Sequence, residues 1–158
     1  MPTDLEADVE EFHKKVTEMI STAESRQNEC LDYDTCDKIH KTLEGYRNKI
    51  DEKAFLLYIH SDSEPKREYY EKVHKALDHW PFDEFSQIFD LCLKARQSSN
   101  LAWGQTIVWQ DEVGTPVAMN CDVRWRDLLP YLRSIQGRIE AIMESIPWWR
   151  RILRILRL

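Results

Sequence analysis

The sequence predicts a mainly α protein of α+β type: a helical hairpin or bundle, one small antiparallel β-hairpin and a long C-terminal helix. Three observations carry this. Apolar residues recur at three- and four-residue steps over most of the chain, the helical period. Between about 105 and 125 the period changes to two. Only four glycines and six prolines occur in 158 residues, too few for a collagen-like or linker-like chain. No apolar run reaches the roughly 18–20 residues that a membrane-spanning helix needs, and the start of the chain has neither a basic flank nor an apolar core of a secretion signal. The expected organisation is one helical domain over 1–146, followed by a cationic amphipathic helix over 147–158 that continues the preceding apolar stripe.

A first helix is expected from about Asp4 to Arg26. Thr3-Asp4-Leu5-Glu6 has capping-box form, and Leu5, Val9, Phe12, Val16, Met19 and Ala23 make one stripe. A second helix starts near Asp34 or Thr35 with Cys36, Ile39, Leu43, Tyr46, Ile50 and Leu57 in its stripe, interrupted at Lys53. Two such stripes pair naturally as an antiparallel hairpin. Ser61–Pro65 caps a third helix, which uses Tyr70, Val73, Leu77 and Trp80 until Pro81 stops it. A fourth, about Asp83 to Gln97, buries Phe85, Ile88, Phe89 and Cys92, and Ser98-Ser99-Asn100 ends it.

Trp103, Gln105, Ile107 and Trp109 then fall on one face of a strand, and Val117–Arg126 alternates more and less apolar residues, so 105–125 reads as a β-hairpin. From Asp127 the helical step resumes through Leu128, Leu132, Ile135, Ile139, Ile142 and Ile146, with Pro130 tolerated in the first turn.

Charge is unevenly spread. Residues 1–37 hold eleven acids against Lys14, Lys15 and Arg26, whereas 124–158 hold eight arginines against three acids. A net charge of −6 argues against nucleic acid as a general partner, because phosphate neutralisation supplies most non-specific affinity. The four cysteines, Cys30, Cys36, Cys92 and Cys121, lack Cys-x-x-Cys spacing. Without a visible export signal they are expected to be reduced, mostly buried thiols of a cytoplasmic protein.

Motifs for chemistry are few. There is no Gly-x-Ser-x-Gly elbow and no glycine-rich phosphate loop, so no catalytic residue, metal site or cofactor is expected and the chain is read as non-enzymatic. The rival reading is a His/carboxylate di-metal helical-bundle oxidoreductase. Glu10-x-x-His13 and Glu71-x-x-His74 have the Glu-x-x-His form of such sites, and Asp37, His40 and Glu44 add neighbours. Against it, His13, His40 and His74 each fall one residue beyond a core position, whereas bundle ligands project inward.

Five of six tryptophans follow residue 100. Trp103, Trp109 and Trp125 are expected to cover the helices. Trp148-Trp149-Arg150-Arg151-Ile152-Leu153-Arg154-Ile155-Leu156-Arg157-Leu158 is different. As a helix it gathers Arg150, Arg151, Arg154 and Arg157 on one side and Trp149, Ile152, Leu153 and Leu156 on the other, the composition of an interfacial helix. The expected function is therefore interaction: a regulatory adaptor or effector-type protein, cytoplasmic or peripheral to a membrane. Trp148, Trp149, Arg150, Arg151, Ile152, Leu153, Arg154, Leu156 and Arg157 would engage an anionic membrane surface or a protein partner. The competing fate for this segment is packing on the chain's own acidic first third. A homodimer through the β-hairpin or a helical face is a further expected partner.

Overall fold

Asp4–Ser25 (α1), Tyr33–Ile59 (α2), Glu64–Leu77 (α3), Glu84–Gln105 (α4) and Leu129–Glu144 (α5) are helical, with a 3-10 turn at Trp125–Leu128, in a computed structural model that describes residues 4–78, 83–105 and 121–145. The helix boundaries follow local chemistry. Asp32 caps α2 by accepting from the Thr35 backbone N–H at 3.0 Å, Pro65 sits in the first turn of α3, and Asp83 accepts from the Ser86 N–H at 3.0 Å at the start of α4.

Side-chain pairs give the topology. Asp8 meets Lys49 and Lys53 and Glu11 meets Tyr46, so α1 and α2 are antiparallel, as the stripes predict. Asp51 meets His74, Arg47 meets Asp83, and Cys36 meets Cys92. Thus α3 and α4 follow one another along α2 as a single interrupted rod running against it. His13 with Glu140, Thr17 with Gln136 and Glu24 with Arg133 set α5 antiparallel to α1. The result is an up-down-up-down bundle of four rods around one apolar core that draws on every helix. Arg138 fastens the interrupted rod to α5: it donates to the Ala76 carbonyl at the end of α3 and pairs with Glu84 at the start of α4, 3.0 Å in each case.

Several expectations need correction. The reduced cysteines are the main one: all four are paired, Cys30–Cys121 and Cys36–Cys92, with Cα atoms 5.9 and 5.4 Å apart. Distant spacing in sequence hid the pairing, because the partners meet only when the rods assemble. Among the described residues there is no strand of the expected β-hairpin. Ser98-Ser99-Asn100 does not end α4, which carries Trp103 and Gln105 in helical conformation; Ser and Asn cost a helix only tenths of a kcal/mol each. At the other end, residues 121–126 lie along the α1–α2 connection. The Leu31 N–H donates to the Val123 carbonyl at 3.0 Å, the Trp125 N–H to Glu29 at 3.2 Å, and Cys30 and Arg124 form an isolated antiparallel bridge. That bridge is the extent of β pairing among the described residues, and 106–120, the middle of the expected hairpin, lie outside them.

Within α2 the buried positions are Cys36, Ile39, His40, Leu43, Arg47, Ile50 and Ala54. Tyr46 instead stacks on Phe12 at the α1 edge, with ring centroids 5.3 Å apart. Phe89, expected in the core, is 45% exposed.

Asp8, buried on α1, has its carboxyl pushed up by burial but pulled further down by the Lys53 and Lys49 ammonium groups, so it titrates below the ordinary aspartate range. A lowered native value contributes stability that is fully present above the unfolded value of about 4 and is lost as pH falls through the native one. Asp8→Asn is therefore expected to be less stable than the parent at pH 7, with the gap closing below about pH 4. Urea midpoints across pH check this; a gap independent of pH contradicts it.

Candidate functional site

The sequence nominates two candidate sites, and a groove is the third. The tail residues Trp148, Trp149, Arg150, Arg151, Ile152, Leu153, Arg154, Leu156 and Arg157 lie outside the described residues. What is described is their point of departure. α5 buries Leu132, Ile135, Ile139 and Ile142 and ends at Ser145, whose N–H closes onto the Ala141 and Ile142 carbonyls at 3.2 Å. The α1–α5 register puts that end beside the first turns of α1. The described residues hold 18 Lys and Arg against 26 Asp and Glu, and 146–158 carry four arginines and no acid.

The histidine–carboxylate pairs do exist, but on separate interfaces. His13 bonds Glu140 across α1 and α5 at 3.1 Å rather than Glu10. His74 bonds Asp51 across α3 and α2, while Glu71 pairs with Lys75. His40 lies 3.9 Å from Glu44 and against the Phe89 ring; it is buried, not flanking. Among the described residues no three His, Cys, Asp or Glu side chains converge on a point where a metal would sit.

An open groove of about 310 Å³ runs between the second half of α1 and the first half of α2. Met19, Ile39 and Trp125 form its apolar lining, while Lys15, Lys38, Thr22, Thr35 and Thr42 line it with polar groups. Lys15 is engaged by Glu18 at 3.8 Å. The lining thus combines an apolar floor with hydroxyl and ammonium groups and the Glu18 carboxylate. Trp125 itself is core: it is 7% exposed, with the Arg26 guanidinium over its ring at 5.7 Å. The covering role expected of it holds. Trp109 lies outside the described residues.

The side chain that sequence reasoning missed is Arg47. It is 3% exposed, pairs with Glu44 at 3.2 Å and Asp83 at 3.4 Å, and stacks on Phe85 with its guanidinium 4.1 Å from the ring centroid. Its position four after Leu43 and three before Ile50 was the available signal. This cluster ties α4 to α2: Arg47 and Asp83 are buried at its centre, and Glu44 stands at its partly exposed edge.

The chain matches no protein-family model, no curated protein and no solved structure. No helix among the described residues is long and apolar enough to cross a membrane.

Proposed function

We propose that this protein is a non-enzymatic interaction module in which a helical body carries the cationic segment 147–158 to an anionic lipid surface. The observation that carries the reading is the segment's own chemistry: paired Trp148 and Trp149 beside four arginines, with Ile152, Leu153 and Leu156 at helical spacing. Tryptophan beside arginine suits the headgroup zone, and an apolar face opposite a cationic one suits adsorption in the interface plane. The acidity of the body supports a division of labour, since a body of net negative charge is repelled by the surface that attracts the tail.

The two disulfides support an oxidising compartment as the working environment, in place of the cytoplasmic one expected from the sequence. Regulatory and adaptor roles remain part of the same proposal, with a protein groove as the alternative receiver of the tail.

Full-length protein is expected to sediment with vesicles containing anionic phospholipid and to stay in solution with purely zwitterionic ones. Each Arg near such a surface contributes about 1 kcal/mol. Replacing Arg150, Arg151, Arg154 and Arg157 with Gln is therefore expected to weaken binding by about a thousandfold, and salt to weaken the parent. A variant ending at Ser145 should keep its melting temperature and lose binding. If it unfolds, the segment is part of the core. If it stays folded and the parent ignores every vesicle, the lipid reading fails and a pull-down comparing the two forms looks for the protein receiver.

A further inference from the structure

The buried stripe of α2 has a counterpart on the opposite side. Lys41, Gly45, Asn48, Glu52, Phe55 and Ile59 recur at alternating steps of four and three, and all six are exposed. An exposed helix face normally stays polar to its end. This one ends on Phe55 and Ile59, with Leu56 beside them; Ile59 is 52% exposed. The other exposed large hydrophobics among the described residues are Phe89 and Leu93, one turn apart on α4. Phe89 packs on His40 of α2 at 5.4 Å between ring centroids, and Leu93 follows Cys92, which is bonded to Cys36. Phe89 therefore borders α2 at His40, and Leu93 stands one turn further along α4; both are exposed.

These two apolar clusters flank a midpoint between Gly45 and Asn48. At a rise of 1.5 Å per residue, Phe55–Ile59 lie about 16 Å from it along α2 and residues 36–40 about 13 Å on the other side. At the midpoint itself Gly45 has open space: a Cβ added there meets nothing within 4 Å. Packing within the chain thus does not require glycine, and an interior helical glycine costs about 1 kcal/mol relative to alanine. Small residues at a crossing point let two helix backbones approach closely.

We propose that the outer face of α2 is the interface of a homodimer, with α2 of one copy antiparallel to α2 of the other and crossing at Gly45 and Asn48. A two-fold axis there sets each Gly45 opposite the partner's Asn48. It also sets each Phe55–Ile59 cluster against the edge where Phe89 and Leu93 stand, and each Lys41 opposite the partner's Glu52. The interface is isologous, the same patch used by both copies, and the four–three spacing is that of antiparallel helix pairs. Charge complementarity selects a second copy as occupant. The stripe carries a base on one side of its midpoint, Lys41, which also pairs with Asp37 one turn back at 2.9 Å, and an acid at the matching distance on the other, which is self-complementary only in the antiparallel arrangement.

The test is sedimentation of the full-length chain over a concentration series. The parent is expected to reach the dimer mass. Gly45→Arg places a bulky, strongly helix-forming residue at the crossing and is expected to give monomer with an unchanged helical spectrum. Ile59→Glu, at a half-exposed site, is expected to do the same. Gly137→Arg, on α5 where an added Cβ also meets nothing, should remain dimeric. Lys41→Glu should weaken association by about tenfold or more, as like charges facing across an interface do, and Lys41→Glu/Glu52→Lys should restore it. A parent that stays monomeric throughout overturns the proposal. So does a Gly45→Arg variant that remains a dimer, or a charge swap that restores nothing.

Discussion

Reduction of the native protein is expected to lower its melting temperature by about 10 °C or more, and this is the largest single effect the structure predicts. Cys30–Cys121 closes a sequence separation of 91 and Cys36–Cys92 one of 56. Constraining the unfolded chain over loops of such length is worth about 4 kcal/mol for each bond in the chain-entropy account. The two loops overlap, so the contributions are not a simple sum. Against a total stability of about 5–15 kcal/mol for a domain, even one is a large share, and for a chain of this size each kcal/mol moves the melting point by about 2–4 °C. The bonds also act at different places. Cys30–Cys121 holds the short backbone ladder that ties residues 121–126 to the α1–α2 connection. Cys36–Cys92 clamps α4 onto the first half of α2. The double variants Cys30→Ala/Cys121→Ala and Cys36→Ala/Cys92→Ala separate them. The chemical check is alkylation in denaturant without reductant, which is expected to leave all four cysteines unmodified; uptake of label at any of them contradicts the pairing.

Arg47→Met is expected to cost about 3–5 kcal/mol, the usual consequence of removing one partner of a buried ion pair and leaving the other uncompensated. The Asp83 side chain that would lose its facing guanidinium is itself buried, 3% exposed. Methionine keeps much of the apolar contact with Phe85, so the loss reports mainly the charge. Asp83→Asn in the same chain should recover part of it, because an amide can still accept from the Ser86 N–H and no longer buries a negative charge. Urea denaturation at constant m-value measures both. If Arg47→Met melts within about 1 kcal/mol of the parent, Arg47 is solvated and the lock between α2 and α4 is not electrostatic.

The disulfides and Arg47 differ from the helix stripes in how legible they were in the residues. The inward stripes of α1 and α5 are mostly where periodicity placed them, Leu5, Val9, Phe12 and Val16 on one, Leu132, Ile135, Ile139 and Ile142 on the other, although Met19 is only partly buried and Ile20 beside it is buried. The tolerance of Pro65 and Pro130 in first turns is equally local and was equally readable; the Asp32 cap is local too, but the expected start at Asp34 or Thr35 fell just after the observed one at Tyr33. In α2 the stripe was right at Cys36, Ile39, Leu43 and Ile50 and interrupted at Lys53 as expected. Tyr46 and Leu57 are only partly buried, whereas Arg47 and Ala54, outside the expected stripe, are buried. An inward position was visible at Arg47, but the acids that make it tolerable come from Glu44 on its own helix and Asp83 on another rod.

For the candidate site, the tail's amphipathic chemistry is a property of contiguous residues and needs no fold to be read. The same holds for the Glu-x-x-His spacings, yet spacing alone misled about partners, since His13 turns to Glu140 and His74 to Asp51. The division follows from the range of the interactions. Helix formation, capping and the side on which a helix is apolar depend on residues within about one turn of each other, so the sequence by itself determined a mainly helical protein with antiparallel neighbours and a cationic end. Disulfide partners 91 and 56 residues apart, the pairing of 121–126 with the α1–α2 connection, and the burial of Arg47 depend on which rods become neighbours and in what register. Only the tertiary structure decided those, because groups distant in sequence interact once core burial has brought them within a few ångströms.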